Sequence, residues 1–355
     1  MVPKLLKTGV AYHGNRILRH VEEDMIDIVR HNMDIVVHMF SHNDWDRHYG
    51  VMKTIFDISK EKGLEVWVDN WGLGGPPGDK SHFLQYHPEA HQVYSDGTAN
   101  PVSVCFNSPA YVQFTKEWID AVASCGGDKI FWDEPRFIGI KEEGGDKRFT
   151  CCCPTCKKLF EEQYNMKMPA SLTTEVEEFR RNSMVNYFKT VGAYAKLKGM
   201  ENIVCTMPHT VHQTDGLLSV DEISDLGIDP YWATGRNRKE KGGYIKEPYD
   251  FVYDITRDCI EASAQSGKDC NIWIQGVDLR AGTEHEIYQA ADAAYDAGAR
   301  TILFWSFRGG ESNTYKSDIC EKVWHIAGEA MGRIKSRNLD EIRNYFYSKR
   351  MNEIK

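Results

Sequence analysis

Two clusters of residues in this chain have types and spacings that do chemistry. The first is the adjacent pair Asp133-Glu134, which follows the apolar run Lys129-Ile-Phe-Trp132 and is closed by Pro135. Proline has no N–H for a strand ladder, so the run reads as a short buried strand with two carboxylates at its C-terminal tip. The second is Cys151-x-Cys153-x2-Cys156, three thiols within about twenty residues of the acid pair. Zinc takes four ligands in a structural site. Cys105, in Val-Cys-Phe-Asn-Ser-Pro just before the helix leading to the acid-bearing strand, supplies the fourth. Cys152, between two ligands, is expected to point away. An acid pair beside a thiolate cluster points to an enzyme with a structural zinc, and a free reduced cluster or a disulfide is the alternative.

The elements that must position these groups alternate along the chain. Strand-length apolar runs are expected at Thr8–Tyr12, Asp34–Phe40, Glu65–Trp71, Lys129–Trp132, Ile203–Met207, Gly227–Tyr231, Asn271–Gly276 and Thr301–Phe307. Helix-period stretches separate them, among them Gly50–Lys62, Pro109–Ser124, Thr174–Lys198 and a short one near Ser219–Leu226. Two terminal helices, near Ser317–Lys335 and Leu339–Arg350, close the chain. Eight strands, each followed by helix, predict an α/β chain folded as one (β/α)8 TIM barrel over residues 1–355. The zinc-binding Cys cluster then lies in an insertion after strand four, residues 136–170, and a long loop after strand three spans 72–107. No Gly-x-Gly-x-x-Gly turn follows the first strand, which weakens a doubly wound nucleotide-binding sheet. Residues 142–148 read as an exposed loop tip.

A barrel collects its chemistry at the C-terminal strand ends. Those ends carry Asp69 and Trp71, Asp133 and Glu134, His209, Asp229 with Tyr231 and Trp232, Gln275, and Trp305 with Arg308. A lone Asp at such a place is ordinarily a helix cap or turn residue. Trp45, Trp71, Trp232 and Trp305 together are harder to assign to packing. Flat indole faces cover the C–H faces of sugar rings while carboxylates and amides bond the hydroxyls. Trp67 and Trp273, inside strands, read as core.

Bulk properties narrow the field. The 355 residues are 41% hydrophobic and 27% charged, as in an ordinary soluble globular protein. The net charge of −9 argues against non-specific nucleic-acid binding. No apolar run approaches the ~18–20 residues of a membrane span, so no membrane partner is expected. The first residues lack the apolar stretch of a secretory leader. Cys125, Cys205, Cys259, Cys270 and Cys320 each stand alone and read as small buried residues of a reducing compartment, hence a cytoplasmic location. Self-association stays open.

The upstream Cys105, the acid at the tip of strand four and the following Cys-x-Cys-x2-Cys resemble the β-galactosidases of glycoside hydrolase family 42, which are (β/α)8 barrels. The resemblance covers residues 100–165 and extends elsewhere only as architecture. It implies that Glu134 is the acid/base and that Cys105, Cys151, Cys153 and Cys156 hold zinc. The chain departs from that clan in having Asp133 where Asn precedes the acid. It also has Gln275 at the strand-seven tip where the nucleophile Glu belongs. Adjacent Asp-Glu also resembles family 20 hexosaminidases, in which the Asp positions a substrate acetamido group. The expectation is a glycoside hydrolase acting on a carbohydrate, with Glu134 as general acid and a second carboxylate from Asp229 or Asp133. Asp69, Trp71, His209, Tyr231, Trp232, Gln275, Trp305 and Arg308 then line the sugar subsite. The rivals are a metal-dependent barrel lyase, isomerase or amidohydrolase with Asp69, Glu134, His209 and Asp229 as ligands, and a non-catalytic carbohydrate-binding barrel.

Overall fold

The computed structural model describes residues 2–75, 77–139, 148–239 and 243–353. Eight strands close into one barrel: β1 (Lys7–Tyr12), β2 (Ile35–Met39), β3 (Glu65–Asp69), β4 (Lys129–Asp133), β5 (Glu201–Thr206), β6 (Ile223–Ile228), β7 (Ile272–Gln275) and β8 (Thr301–Trp305). Each lies between its chain neighbours, and β8 closes onto β1. β1 pairs in parallel with both its neighbours, Gly9 standing opposite Leu303 on one side and Ile35 on the other. Parallel strands covered on both faces read as continuous apolar runs, which is why the sequence expectation finds a TIM barrel. Contacts group the chain into two compact units: residues 1–38, 54–67 and 227–355, and residues 39–53 and 68–226.

In the first unit the strands pack with no solvent exposure at Val10, Ile35, Val36, Val37, Ile302 and Leu303. Gly9 is required there, because a Cβ would stand 2.5 Å from Leu303 Cδ2 and 2.7 Å from Ile35 Cβ. The two terminal helices of the sequence expectation are one, Cys320–Glu353. No Pro or Gly interrupts residues 333–353, and Asn338 sits in the helix fully buried. Its Oδ1 accepts from Leu6 N at 2.8 Å and its Nδ2 donates to Lys4 O. Cys259 and Cys270, read singly in the sequence, are neighbours with sulphurs 3.0 Å apart.

In the second unit, Trp118 and Trp132 anchor the core. Their indole N–H groups reach Phe40 O at 2.9 Å and Asn202 Oδ1 at 3.0 Å, as buried indoles require. The helix after β2 starts at His42 and runs to Glu61, eight residues earlier than the expected Gly50 start. The stretch 72–107 holds an antiparallel ribbon, His91–Val93 with Ala99–Val104, and a short helix at Phe83–Tyr86. The expected helix over 219–226 is instead a 3-10 turn, Asp215–Ser219, followed by a strand that begins at Ile223, four residues ahead of the expected strand. Ser224 and Asp225 mask that strand in the sequence. Ser224 Oγ spends its hydrogen bond on Asn202 O at 3.1 Å. The expected loop tip at 142–148 falls, apart from Arg148, outside the described residues. No helix among the described residues is long and apolar enough to cross a membrane.

Candidate active site and metal centre

β4 ends at Asp133, and Glu134 lies one step beyond it with φ +40°. That left-handed backbone is costly for a non-glycine residue and collects at functional sites. It also removes Glu134 from the alternation of the pleat, so its direction is set by the turn and not by the strand. The Glu134 N–H is fixed to Cys205 O at 3.0 Å. The side chain is 11% exposed and forms an ion pair with Arg136.

The tip of β3 supports this turn. Asn70 N donates to Phe131 O at 3.3 Å, and Asn70 Oδ1 accepts from Asp133 N at 3.1 Å. Asp69 is fully buried, and its Oδ1 accepts from Trp71 N at 2.7 Å. Its Oδ2 has no hydrogen-bond partner among the described residues. Burial pushes the Asp69 carboxyl up to about 8; the Trp71 N–H opposes this and the Glu134 charge adds to it. Burial likewise raises Glu134 above the ordinary carboxylate range, against the pull of the Arg136 guanidinium. Desolvation disfavours the charged form of each acid. The two side chains thus make a buried acid pair in which one proton is readily held. Beside it, Asn70, Ser103, Trp132, Glu134 and Arg136 border an open space of about 40 Å³, room for a few waters.

The first unit holds most of the other expected site residues. Asp229 follows β6 and is 5% exposed. Trp232, expected as a sugar platform, has no exposed surface, and its Nε1–H donates to Glu286 Oε2 at 2.8 Å. Gln275 is spent on backbone: Oε1 accepts from Ala233 N at 3.0 Å and Nε2 donates to Val277 O at 3.0 Å. An amide serves both bonds where a carboxylate could serve only one. Tyr231 is half-buried, and Trp305 is half-buried with its ring 4.8 Å from that of His13. Arg308 pairs with Glu311 at 2.7 Å. Trp67 and Trp273 are core. In the second unit Trp71 and His209 are half-buried at the tips of β3 and β5. Asp69, Glu134 and His209 are not among the described groups whose donor atoms converge on one point. Arg136 and Asn70 went unassigned in the sequence, although Asn70 lies between Asp69 and Trp71 and Arg136 directly follows Pro135. A cation two residues after an acid, across a proline, is the one signal that could have marked Arg136.

The four cysteines expected to hold metal converge. Cys105, Cys151, Cys153 and Cys156 are buried, with all four sulphurs within 4.8 Å of one another. Cys105 lies 3.4 Å from Cys156 and 3.7 Å from Cys153, sulphur to sulphur. Tetrahedral zinc with Zn–S bonds of ~2.3 Å spaces its sulphurs about 3.8 Å apart, so the set fits such an ion. Cys153 caps the helix Pro154–Tyr164, its sulphur accepting from Cys156 N at 3.4 Å. Asn107 Nδ2 donates to the Cys156 sulphur at 3.4 Å. Helix-end and amide N–H groups stabilise thiolate charge. Cys152 is outside the cluster, its thiol facing Phe149 O. This buried set can hold a metal, and it would tie the segment after the ribbon to the helix that follows the acid-bearing turn.

No family model matches the chain, and no curated protein matches it. Solved structures do. A GH5_18 protein from Bifidobacterium longum subsp. longum is similar with a TM-score of 0.61 at 13% identity, over 93% of this chain and 79% of that one. An endo-1,4-beta-mannanase from Rhizomucor miehei gives 0.59 at 11%, over 93% and 95%. A D-allulose 3-epimerase from Methylomonas sp. gives 0.50 at 14%, over 95% and 99%. The resemblance to family 42 rests on the residue motif alone. At these identities the likeness is one of fold, and the chain is a TIM barrel of the architecture that glycoside hydrolases and a sugar epimerase also use.

Proposed function

We propose that the protein is a glycoside hydrolase and that Glu134 is its general acid. The observation that carries this reading is the buried Asp69–Glu134 pair at the tips of β3 and β4, in which burial raises both carboxyls. A raised carboxyl pKa favours the protonated form that donation to a leaving glycosidic oxygen requires. Family 5 hydrolases among the structural neighbours support the carbohydrate substrate class.

Glu134 gives its proton to the departing oxygen as the anomeric C–O bond breaks. A second carboxylate, which we assign to Asp229, either attacks the anomeric carbon or takes the proton of the incoming water. Asp133 holds a substrate hydroxyl or acetamido group. Asp69, Trp71, His209, Tyr231, Trp305 and Arg308 are assigned to the sugar subsite. Trp232 and Gln275, whose polar atoms are taken up by Glu286 and by the backbone, are assigned to the subsite as supporting residues. The ion at the four cysteines is zinc, since soft thiolates in a tetrahedral set select it. It has no open position and serves the fold.

The test is a screen of nitrophenyl and natural glycosides with the wild type, followed by Asp229→Asn and Asp133→Asn. Loss of turnover in Asp229→Asn with hydrolysis retained in Asp133→Asn supports the assignment. Full activity of Asp229→Asn with a dead Asp133→Asn would move the role to Asp133 and a substrate-assisted route.

A further inference from the structure

Three more donor side chains converge away from the acids and the thiols. His42 opens the helix after β2, and Asp46 stands one turn later on it. His82 comes from the connection after β3, just ahead of the helix Phe83–Tyr86. His82 Nε2 is 3.1 Å from Asp46 Oδ2, and His42 Nε2 is 3.9 Å from Asp46 Oδ1. Donor atoms of all three lie within 4.8 Å of one another. Tetrahedral zinc with bonds of ~2.0–2.1 Å sets neighbouring ligand atoms about 3.3–3.4 Å apart. The two observed separations, one to each Asp46 oxygen, fall on either side of that value.

The His42 imidazole has one ring nitrogen beside a neighbouring hydroxyl. His42 Nδ1 is 2.9 Å from Ser81 Oγ, and that Oγ accepts from Phe83 N at 3.2 Å. With Nδ1–H donating to that hydroxyl, Nε2 is the ring atom left to bind an ion, the usual outer-shell arrangement of metal-binding histidines. The His42 ring is wedged edge-on to Phe114 with centroids 4.7 Å apart, and His82 stacks on it at 3.7 Å. An ordinary His82–Asp46 ion pair accounts for one of these contacts. It does not account for a second, buried imidazole presenting Nε2 to the same carboxylate.

We propose that His42, Asp46 and His82 form a second metal site, for a divalent transition ion of the zinc class, with water in the fourth position. The Asp46 and His82 side chains are 49% and 31% exposed, so solvent reaches it. Nitrogen and carboxylate donors with an open position hold metal less firmly than four buried thiolates, and the ion would pin the connection after β3 to the helix after β2.

Tag-free protein, stripped with mild chelator, is titrated with zinc and, separately, with cobalt. The wild type is expected to take up one more equivalent of zinc than His82→Ala or Asp46→Asn. The cobalt form of that extra site should show visible absorption without a thiolate charge-transfer band. His42 is buried and its replacement risks the fold, so the two more exposed positions carry the test. Titrations of both variants that superimpose on the wild type would overturn the proposal.

Discussion

The Asp69 carboxyl and the Glu134 carboxyl sit at the tips of neighbouring strands, and the charge of Glu134 adds to what burial already does in holding the Asp69 proton. This relationship has a sign that stability measurements read. Asp69 rises from an ordinary value of 3.8 to about 8 on folding. Between those values the native state binds more protons than the unfolded chain, so its contribution is favourable at low pH and is lost as pH climbs toward 8. Asp69→Asn keeps the acceptor for Trp71 N and cannot ionise. Its melting temperature should gain on the wild type as pH rises from 4 to 8. Parallel curves for the two proteins over that window would remove the buried proton from Asp69.

Arg136 pulls the Glu134 carboxyl down while burial pushes it up. Removing the cation leaves burial unopposed. A general acid must be protonated, so its pKa sets the basic limb of the rate profile. Arg136→Ala should move the basic limb of kcat/KM to higher pH, read from a pH–rate profile against the wild type. A shift to lower pH, or none, would show that the ion pair does not tune the acid.

Gln275 stands where a nucleophilic Glu would complete a two-carboxylate site, yet both ends of its amide are committed to backbone. Gln275→Glu keeps the bond from Ala233 N and turns a carboxylate oxygen toward Val277 O. The lost donor and the buried charge should cost about 1–3 kcal/mol in a denaturant titration, without raising turnover. A stable variant with increased activity would mean that this position faces substrate.

Cys153 both caps a helix and belongs to the thiol cluster. On the proposed structural-ion reading, Cys153→Ala should lower metal content, measured by elemental analysis, and the melting temperature before it changes substrate affinity. Protein purified under reducing conditions without chelator that carries no metal at these thiols would contradict a structural ion.

Local spacing made the thiols legible in the sequence, because three of the four ligands lie within six residues, Cys151 to Cys156, and need little tertiary knowledge. The barrel was legible for a similar reason: strands buried on both faces are plain apolar runs. β6 was displaced in the reading because its first residues, Ile223-Ser-Asp-Leu, include two polar ones, of which Ser224 bonds a neighbouring strand. The acid site was half legible. Asp133 and Glu134 announce themselves by type, but the +40° backbone that aims Glu134 and the Arg136 pair that tempers it arise only in the folded turn. The pairing of His42 with Asp46 at helical spacing was hidden by starting that helix at Gly50, beyond both residues.

Glu134→Gln keeps the shape of the side chain and removes its transferable proton, so it measures the role of that proton directly. On an alkyl glycoside, single-turnover hydrolysis should fall about 10²–10⁴-fold. The dissociation constant for the sugar should change little, and an activated nitrophenyl glycoside, which needs little protonation, should lose less. Wild-type rates for Glu134→Gln on the alkyl glycoside would contradict a general acid at Glu134.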